Sequence, residues 1–255
     1  MDTRMRSVDH QRKSPARRKR KRRRRLRPLP VIVLLAIIVI LLYKLVVPIC
    51  GGQSVSVDTN AEIDKSSYYS MVVNSANPIS EYLVPSQLVS VTDEIKLEKQ
   101  TAAAFTAMVS AMAAKDLEID LESGYRSYEA QQQLYDKRMN KLKADYPDKS
   151  QEELGAILSE SIAPPGTSEH QTGLAMDISV TGISSARLHE TEAGQWIAKH
   201  GAEYGFIFRY PAGKEEATGT IHEPWHLRYV GTDLAKELQE TGLTLDEYFG
   251  KEVNK

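Results

Sequence analysis

The chain has 255 residues, of which 41% are hydrophobic and 26% are charged. These proportions are close to globular averages, which argues against a wholly disordered chain and a multi-span membrane protein, and the length suits one domain with extensions. The net charge of −1 conceals a division, because residues 1–30 hold 14 Lys and Arg against 2 Asp, a net of +12, and the remaining residues carry −13. The two parts are therefore expected to differ in role.

The N-terminal residues are predicted to target and tether the chain. Residues 1–28 form a basic tail, residues 29–50 are apolar over a length that suits one membrane helix, and residues 51–68 form a polar, aperiodic linker. A basic cluster before an apolar span follows the positive-inside rule, which favours a membrane anchor over a nucleic-acid-binding arm. We therefore expect an uncleaved signal anchor in the cell membrane, a cytoplasmic tail and no nucleic-acid partner. A cleaved signal peptide is the alternative, although no good cleavage motif follows the span.

From residue 69 onward, helix-like and strand-like patterns of apolar residues interleave. Helical spacing predicts helices over residues 93–115, 127–146, 151–162 and 191–204. Alternating or apolar runs predict strands over residues 117–121, 174–180, 206–210 and 226–230, and two short helices complete the chain. The connections between the last strands are too short for helical crossovers, so we predict an α+β fold, a small antiparallel sheet with packed helices.

Two histidines and one aspartate stand out as possible metal ligands. Cys50 is the only cysteine, so a transition-metal site must use histidines and carboxylates. His170 lies in a loop, and Asp177 lies within an apolar strand, where a carboxylate is costly unless it is paired or metal-bound. With His226 they make a three-ligand set that suits Zn²⁺ and leaves a fourth position for water, whose proton Glu223 could take. A structural His–Asp hydrogen bond is the alternative.

Several short motifs occur in a definite order along the chain. They are Val73-Asn74 with Asn77-Pro78 and Val84-Pro85, Ser123-Gly124-Tyr125-Arg126-Ser127, Ser168-Glu169-His170 with Gly173 and Asp177, Gly205-Phe206 with Arg209-Tyr210-Pro211, and Glu223-Pro224-Trp225-His226. With these motifs, residues 72–232 resemble the VanY-like D-alanyl-D-alanine carboxypeptidases, zinc peptidases related to the D-Ala-D-Ala dipeptidases and the hedgehog fold. The resemblance implies a hedgehog-like α+β fold. We place this domain at residues 69–255, after the transmembrane helix predicted from the apolar run.

The resemblance also implies a role for each site residue. Zn²⁺ is bound by His170, Asp177 and His226, and Glu223 is the general base. Arg126 is a catalytic residue that contacts the substrate, because a guanidinium can pair with a terminal carboxylate or stabilise the oxyanion. The implied substrate-binding residues are Gln131, Ser168, Tyr210 and Trp225. For the two aromatic residues among them, core packing is the alternative.

The function that the resemblance implies is that of a zinc D,D-carboxypeptidase, which removes the C-terminal D-alanine from peptidoglycan stem peptides by attack of a metal-activated water. An extracytoplasmic domain on a membrane tether would lie where peptidoglycan is trimmed. One alternative is an L,D-carboxypeptidase acting on tetrapeptide stems, which differs in the pocket for the residue before the cut. The other is a non-catalytic cell-wall-binding domain, against which the complete set of ligands and base argues. The oligomeric state stays open.

Overall fold

The computed structural model describes residue 64 and residues 66–159, 161–251 and 253. The predictions of a basic tail over residues 1–28 and of a membrane anchor over residues 29–50 lie outside these residues, as does most of the predicted linker. Within the described part of the chain, no helix has both the length and the apolar character needed to cross a membrane.

The described residues form short strands that interleave with helices. The strands are β1 (Leu88–Ser90), β2 (Lys96–Glu98), β3 (Asp120–Ser123), β4 (Ala175–Ser179), β5 (Phe206–Tyr210) and β6 (Glu223–Tyr229). The α-helices are α1 (Lys99–Ala113), α2 (Tyr128–Asp145), α3 (Gln151–Ser159), α4 (Glu192–His200), α5 (Glu215–Thr218), α6 (Thr232–Thr241) and α7 (Leu245–Phe249). Short 3₁₀ helices span Tyr68–Ser70, Glu169–Thr172, Ser185–Glu190 and Gly201–Tyr204.

A four-stranded antiparallel sheet in the order β3-β4-β6-β5 forms the centre of the domain. β1 and β2 form a separate antiparallel hairpin. The expected α+β class with a small antiparallel sheet is therefore confirmed. In the pairing of β4 with β6, Asp177 lies opposite His226, and in the pairing of β3 with β4, Ser123 lies opposite Asp177.

The two faces of the sheet differ in character because side chains alternate along each strand. Met176 and Ile178 of β4 and Leu227 of β6 belong to the main hydrophobic core. Asp177 lies between Met176 and Ile178 in β4, and His226 lies beside Leu227 in β6. Both therefore belong to the opposite face of the sheet. Helix α1 covers the apolar face, with buried Phe105, Met108 and Met112 at helical spacing along one side.

Helices α2 and α3 pair with each other around a small apolar cluster of their own. Its buried members are Met139, Leu154 and Leu158. The pair forms a wall beside the polar face of the sheet. Gln131 of α2 and Ser159 at the end of α3 both line the cavity that contains Asp177 and His226.

Several element boundaries differ from those predicted. The helix predicted over residues 93–115 begins at Lys99, because the Glu98 carboxylate accepts the Gln100 and Thr101 amides as an N-cap and residues 96–98 form β2. The strand predicted over residues 117–121 lies at Asp120–Ser123. The last strand begins at Glu223 rather than at residue 226.

Pro224 explains the last difference. Proline lacks an N–H for the ladder and is tolerated in a sheet at irregular positions. The register between β5 and β6 shifts between Phe208 and Tyr210, and Tyr210 pairs with Glu223 beyond the shift. The proline therefore lies beside a break in the ladder, and the strand continues through it.

Gly173 is expected to be sensitive to substitution because two constraints meet there. Its φ is +67°, and an added Cβ would lie 3.0 Å from the backbone nitrogen of Glu98. We expect Gly173→Ala to lower the free energy of unfolding by about 1–2 kcal/mol for the left-handed backbone and by about 1–3 kcal/mol more for the close contact. Urea unfolding of the purified chain measures this loss.

Gly182→Ala is the matched control for this prediction. Gly182 has a φ of +78°, but an added Cβ would meet nothing within 4 Å. We therefore expect Gly182→Ala to lower the free energy of unfolding only by the cost of the left-handed backbone, about 1–2 kcal/mol. Equal losses in the two variants would show that the contact at Gly173 has no energetic effect.

Candidate active site

Three separate elements bring the predicted metal ligands together. His170 lies in the 3₁₀ turn Glu169–Thr172, Asp177 in β4 and His226 in β6. Asp177 Oδ2 lies 3.2 Å from His170 Nε2, and Asp177 Oδ1 lies 3.1 Å from His226 Nδ1. One potential ligand atom from each side chain lies within 4.8 Å of the others. The geometry therefore brings this predicted set together at one point.

Hydrogen bonding assigns the tautomer of His170. Its Nδ1 lies 2.8 Å from the Gly124 carbonyl oxygen, which can only accept a hydrogen bond, so Nδ1 carries the proton. The lone pair of Nε2 then faces Asp177. His226 presents the other ring nitrogen, Nδ1, to the same carboxylate. Two imidazoles and one carboxylate are the donors that zinc takes in catalytic sites, so the residues fit that metal.

The carboxylates of the site have opposite electrostatic environments. Burial disfavours ionised Asp177, but His170 and His226 outweigh that effect and hold the pKa of its carboxyl well below the usual range. Burial raises the pKa of the Glu223 carboxyl to about 7, although His226 acts in the opposite direction. Glu223 Oε2 lies 3.9 Å from His226 Nδ1, close to the ligand set. A carboxylate with a pKa near neutrality is suited to general base catalysis.

Arg126 is held by polar side chains on one wall of the site. Its guanidinium donates to Gln131 Oε1 at 2.7 Å and to Ser123 Oγ at 3.0 Å. Gln131 is itself fixed by donating from Nε2 to the Ala163 carbonyl at 2.6 Å. No carboxylate forms an ion pair with Arg126 among the described residues. The guanidinium charge is therefore positioned but left available to an anion.

All nine predicted site residues line a cavity of about 190 Å³. They are Arg126, Gln131, Ser168, His170, Asp177, Tyr210, Glu223, Trp225 and His226. The Tyr210 ring packs against the His226 ring with centroids 5.0 Å apart, so core packing and site lining both apply to Tyr210. Trp225 is half-buried at the cavity wall.

Three buried charged residues behind the site have no role predicted from the sequence. Glu169, Arg209 and Arg228 have fully buried side chains, and both arginines pair with the Glu169 carboxylate. A signal was present, because Arg209 and Arg228 each lie within an apolar strand, where an unpaired charge is costly. Identifying their partner required the tertiary structure.

A His/Asp/His set beside a buried glutamate and an available arginine defines a metal-dependent hydrolase. The family model described as VanY, D-alanyl-D-alanine carboxypeptidase, matches residues 94–232. The chain belongs to this VanY family of carboxypeptidases, and the resemblance stated from the motifs is confirmed.

Curated relatives agree with this family. The putative carboxypeptidase YodJ of Bacillus subtilis is 40% identical over 179 residues, which are 68% of this chain and 61% of YodJ. A D-alanyl-D-alanine carboxypeptidase of Enterococcus faecalis is 35% identical over 190 residues, which are 74% of this chain and 68% of that protein. This chain thus spans less than two thirds of the length of YodJ.

Solved structures share the fold. VanYB in complex with D-Ala-D-Ala has a TM-score of 0.63 and 34% identity, over 73% of this chain and all 100% of that one. A VanY variant in complex with Zn(II) has a TM-score of 0.62 and 34% identity, over 72% and 99% of the two chains. The LD-carboxypeptidase LdcB has a TM-score of 0.61 and 36% identity, over 72% and 86%.

The convergence of the three side chains generates a prediction about metal affinity. We expect His226→Ala to weaken zinc binding by more than about 100-fold, because loss of residues that only support a ligand already costs about 10–100-fold. Competition with a chromophoric chelator measures the affinity, and circular dichroism checks the fold.

His222→Ala is the control, because His222 lies outside the ligand set, with Nδ1 3.0 Å from the Tyr210 carbonyl oxygen. It should bind zinc as the parent chain does. Wild-type affinity in His226→Ala would remove His226 from the set of ligands.

Proposed function

We propose that this chain is a zinc D,D-carboxypeptidase that removes the C-terminal D-alanine from pentapeptide stems of peptidoglycan. The observation that carries this proposal is the convergence of a metal-ligand set, a general base and an available arginine in one cavity of a VanY-family fold. The structure of a relative, VanYB, in complex with D-Ala-D-Ala supports the choice of substrate.

Glu223 performs the proton transfers in this proposal. His170, Asp177 and His226 would hold the zinc, which would supply the Lewis acidity that lowers the pKa of a water molecule and polarises the scissile carbonyl. Glu223 accepts the proton of the attacking water and returns it to the leaving amine of D-alanine. Burial of Glu223 suits both steps, because it raises the pKa of the carboxyl. With a raised pKa the carboxylate is a stronger base, and its protonated form is easier to reach.

Arg126 supplies the positive charge that a carboxypeptidase requires. A peptide C-terminus is a carboxylate, and the planar guanidinium pairs with such a group through two parallel hydrogen bonds. Arg126 can also stabilise a second anion, the oxyanion that forms when water attacks the scissile carbonyl. Gln131 orients the guanidinium, and Ser168, Tyr210 and Trp225 form the remaining wall around the substrate.

An L,D-carboxypeptidase acting on tetrapeptide stems is the second candidate. LdcB, an LD-carboxypeptidase, is 36% identical to this chain with a TM-score of 0.61, values close to those of VanYB. The two activities need the same metal site and differ in which residue precedes the scissile bond. Substrate length and stereochemistry therefore discriminate between them.

We also propose that residues 29–50 anchor the chain in the cell membrane, with residues 1–28 in the cytoplasm and the carboxypeptidase domain on the cell-wall side. The apolar run of residues 31–42 and the basic cluster before it support this arrangement. Such a tether would hold the cavity close to newly made stem peptides.

Hydrolysis of defined stem peptides tests the function. The purified full chain with zinc should convert the pentapeptide stem to the tetrapeptide with release of one D-alanine, read by mass spectrometry, and leave the tetrapeptide intact. Glu223→Gln should retain zinc and lower turnover by about 10²–10⁴-fold, because only the proton transfer is lost.

Glu122→Gln is the matched control, since Glu122 is an exposed residue of β3 that bonds to Ser179. It should keep full activity. Cleavage of the tetrapeptide alone would establish the L,D activity instead. A zinc-loaded chain that cleaves neither peptide would indicate a non-catalytic cell-wall-binding domain.

Membrane fractionation tests the anchor. The full chain should stay in the membrane pellet after an alkaline carbonate wash, and a variant without residues 29–50 should move to the supernatant. Protease added to intact spheroplasts should remove the carboxypeptidase domain. Release of the full chain by carbonate, or protection of the domain from protease, would contradict this proposal.

A further inference from the structure

A cluster of buried charges lies directly behind the metal-ligand set. We call Glu169, Arg209, Arg228 and Asp246 the Glu169 cluster, and each of these residues has 0–1% of its surface exposed. Glu169 Oε1 accepts from Arg209 Nε and from Arg228 Nη1, both at 2.7 Å. Both Asp246 oxygens accept from Arg209. Two guanidinium groups thus hold the Glu169 carboxylate by one of its oxygens.

The other oxygen of Glu169 faces the metal-ligand set. Glu169 Oε2 lies 3.6 Å from His226 Nε2, and each of these two buried atoms lacks a hydrogen-bond partner within the described part of the chain. Buried polar atoms in proteins are rarely left unpaired. At 3.6 Å the separation is slightly longer than a hydrogen bond. A small movement of the His226 ring would pair the two atoms.

Two carboxylates compete for the proton of His226. If Nδ1 carried the proton, the ring could donate to Asp177 Oδ1 at 3.1 Å, but Nδ1 could not bind a metal. If Nε2 carries the proton, Nδ1 has a free lone pair directed at the ligand set. A carboxylate beyond a ligating histidine selects the competent tautomer and fixes the ring.

We propose that Glu169 is the positioning residue of the metal site: its Oε2 accepts the Nε2 proton of His226, which leaves Nδ1 free to bind the metal. Glu169 is not one of the three residues of the metal-ligand set. It precedes the ligand His170 in the same 3₁₀ turn, so one turn of chain both supplies one ligand and orients another.

The surroundings of the cluster suit a rigid support. Arg228 also donates from Nη2 to the carbonyl oxygens of Met71 at 2.7 Å and Tyr69 at 3.1 Å. Because β6 places Arg228 two residues after His226, the ligand and the residue that grips Glu169 project from the same strand face. Movement of Glu169 relative to His226 is therefore resisted on both sides.

The inference rests on the proposed zinc site, and the experiment is designed to separate the two. Zinc affinity of the purified full chain and its variants is measured by chelator competition. Long-range ¹H–¹⁵N spectra of histidine-labelled protein show which nitrogen of His226 carries the proton, with His226→Ala to assign the signal. A wild-type chain that binds no zinc would refute the proposed site itself.

Glu169→Gln should weaken zinc binding by about 10–100-fold and move the single proton of the neutral, zinc-free His226 ring to Nδ1, since the new amide can donate to Nε2. Glu169→Asp keeps the charge between the two arginines but withdraws the carboxylate from His226. It should therefore also weaken zinc binding, and because the charge is retained it should lower the melting temperature less than Glu169→Gln does. This second variant decides the question if the glutamine variant does not fold.

Asp246→Asn is the matched control, because Asp246 is as buried as Glu169 and bonds to Arg209 but not to His226. It should lower the melting temperature and leave zinc affinity and the His226 tautomer unchanged. Wild-type zinc affinity together with an unchanged tautomer in both Glu169 variants would overturn the proposal. Equal loss of zinc affinity in Asp246→Asn would reduce the role of Glu169 to general support of the fold.

Discussion

Asp177 and His226 face each other because β4 and β6 pair antiparallel in a single register. A shift of β4 by one residue would turn Asp177 into the hydrophobic core and move Met176 to the polar face, so burial of the apolar face fixes the register strongly. The same pairing determines where His170 lies, since its 3₁₀ turn leads through Gly173 into β4. The metal site is thus a consequence of the way in which the sheet buries its other face.

The polar face of the sheet carries charges at unusual depth, and each is compensated locally. Arg209 and Arg228 are fully buried, and burial opposes the charged form of Arg209, but Glu169 and Asp246 hold its pKa well above the usual range. Removal of one member of such a group leaves an uncompensated charge, which typically costs about 3–5 kcal/mol. Because each charge of the cluster is held by its partners, the cluster is rigid. A preorganised metal site requires such rigid surroundings.

The sequence predicted the features that local pattern and motif determine. The long helices, the strand of residues 206–210 and the set of His170, Asp177 and His226 follow from periodicity and from residue types that are costly to bury. Strand β2 was missed because Ile95 and Leu97 continued the helical spacing of α1, and its partner β1 is only three residues long. The role of Glu169 was missed for a different reason: Arg209 and Arg228 lie 40 and 59 residues away along the chain. No local pattern encodes such a pairing.

The Glu169 cluster also bears on how much of the chain the catalytic fold needs. The family model ends at residue 232, but Asp246 of α7 completes the charge balance of Arg209. Asn74, which precedes the matched region, donates to Asp246 Oδ1 at 2.8 Å. Segments on both sides of the match therefore meet at the Arg209 end of the Glu169 cluster. A domain cut at residue 232 would keep the three metal ligands and the base but would leave Arg209 and Arg228 with one carboxylate between them.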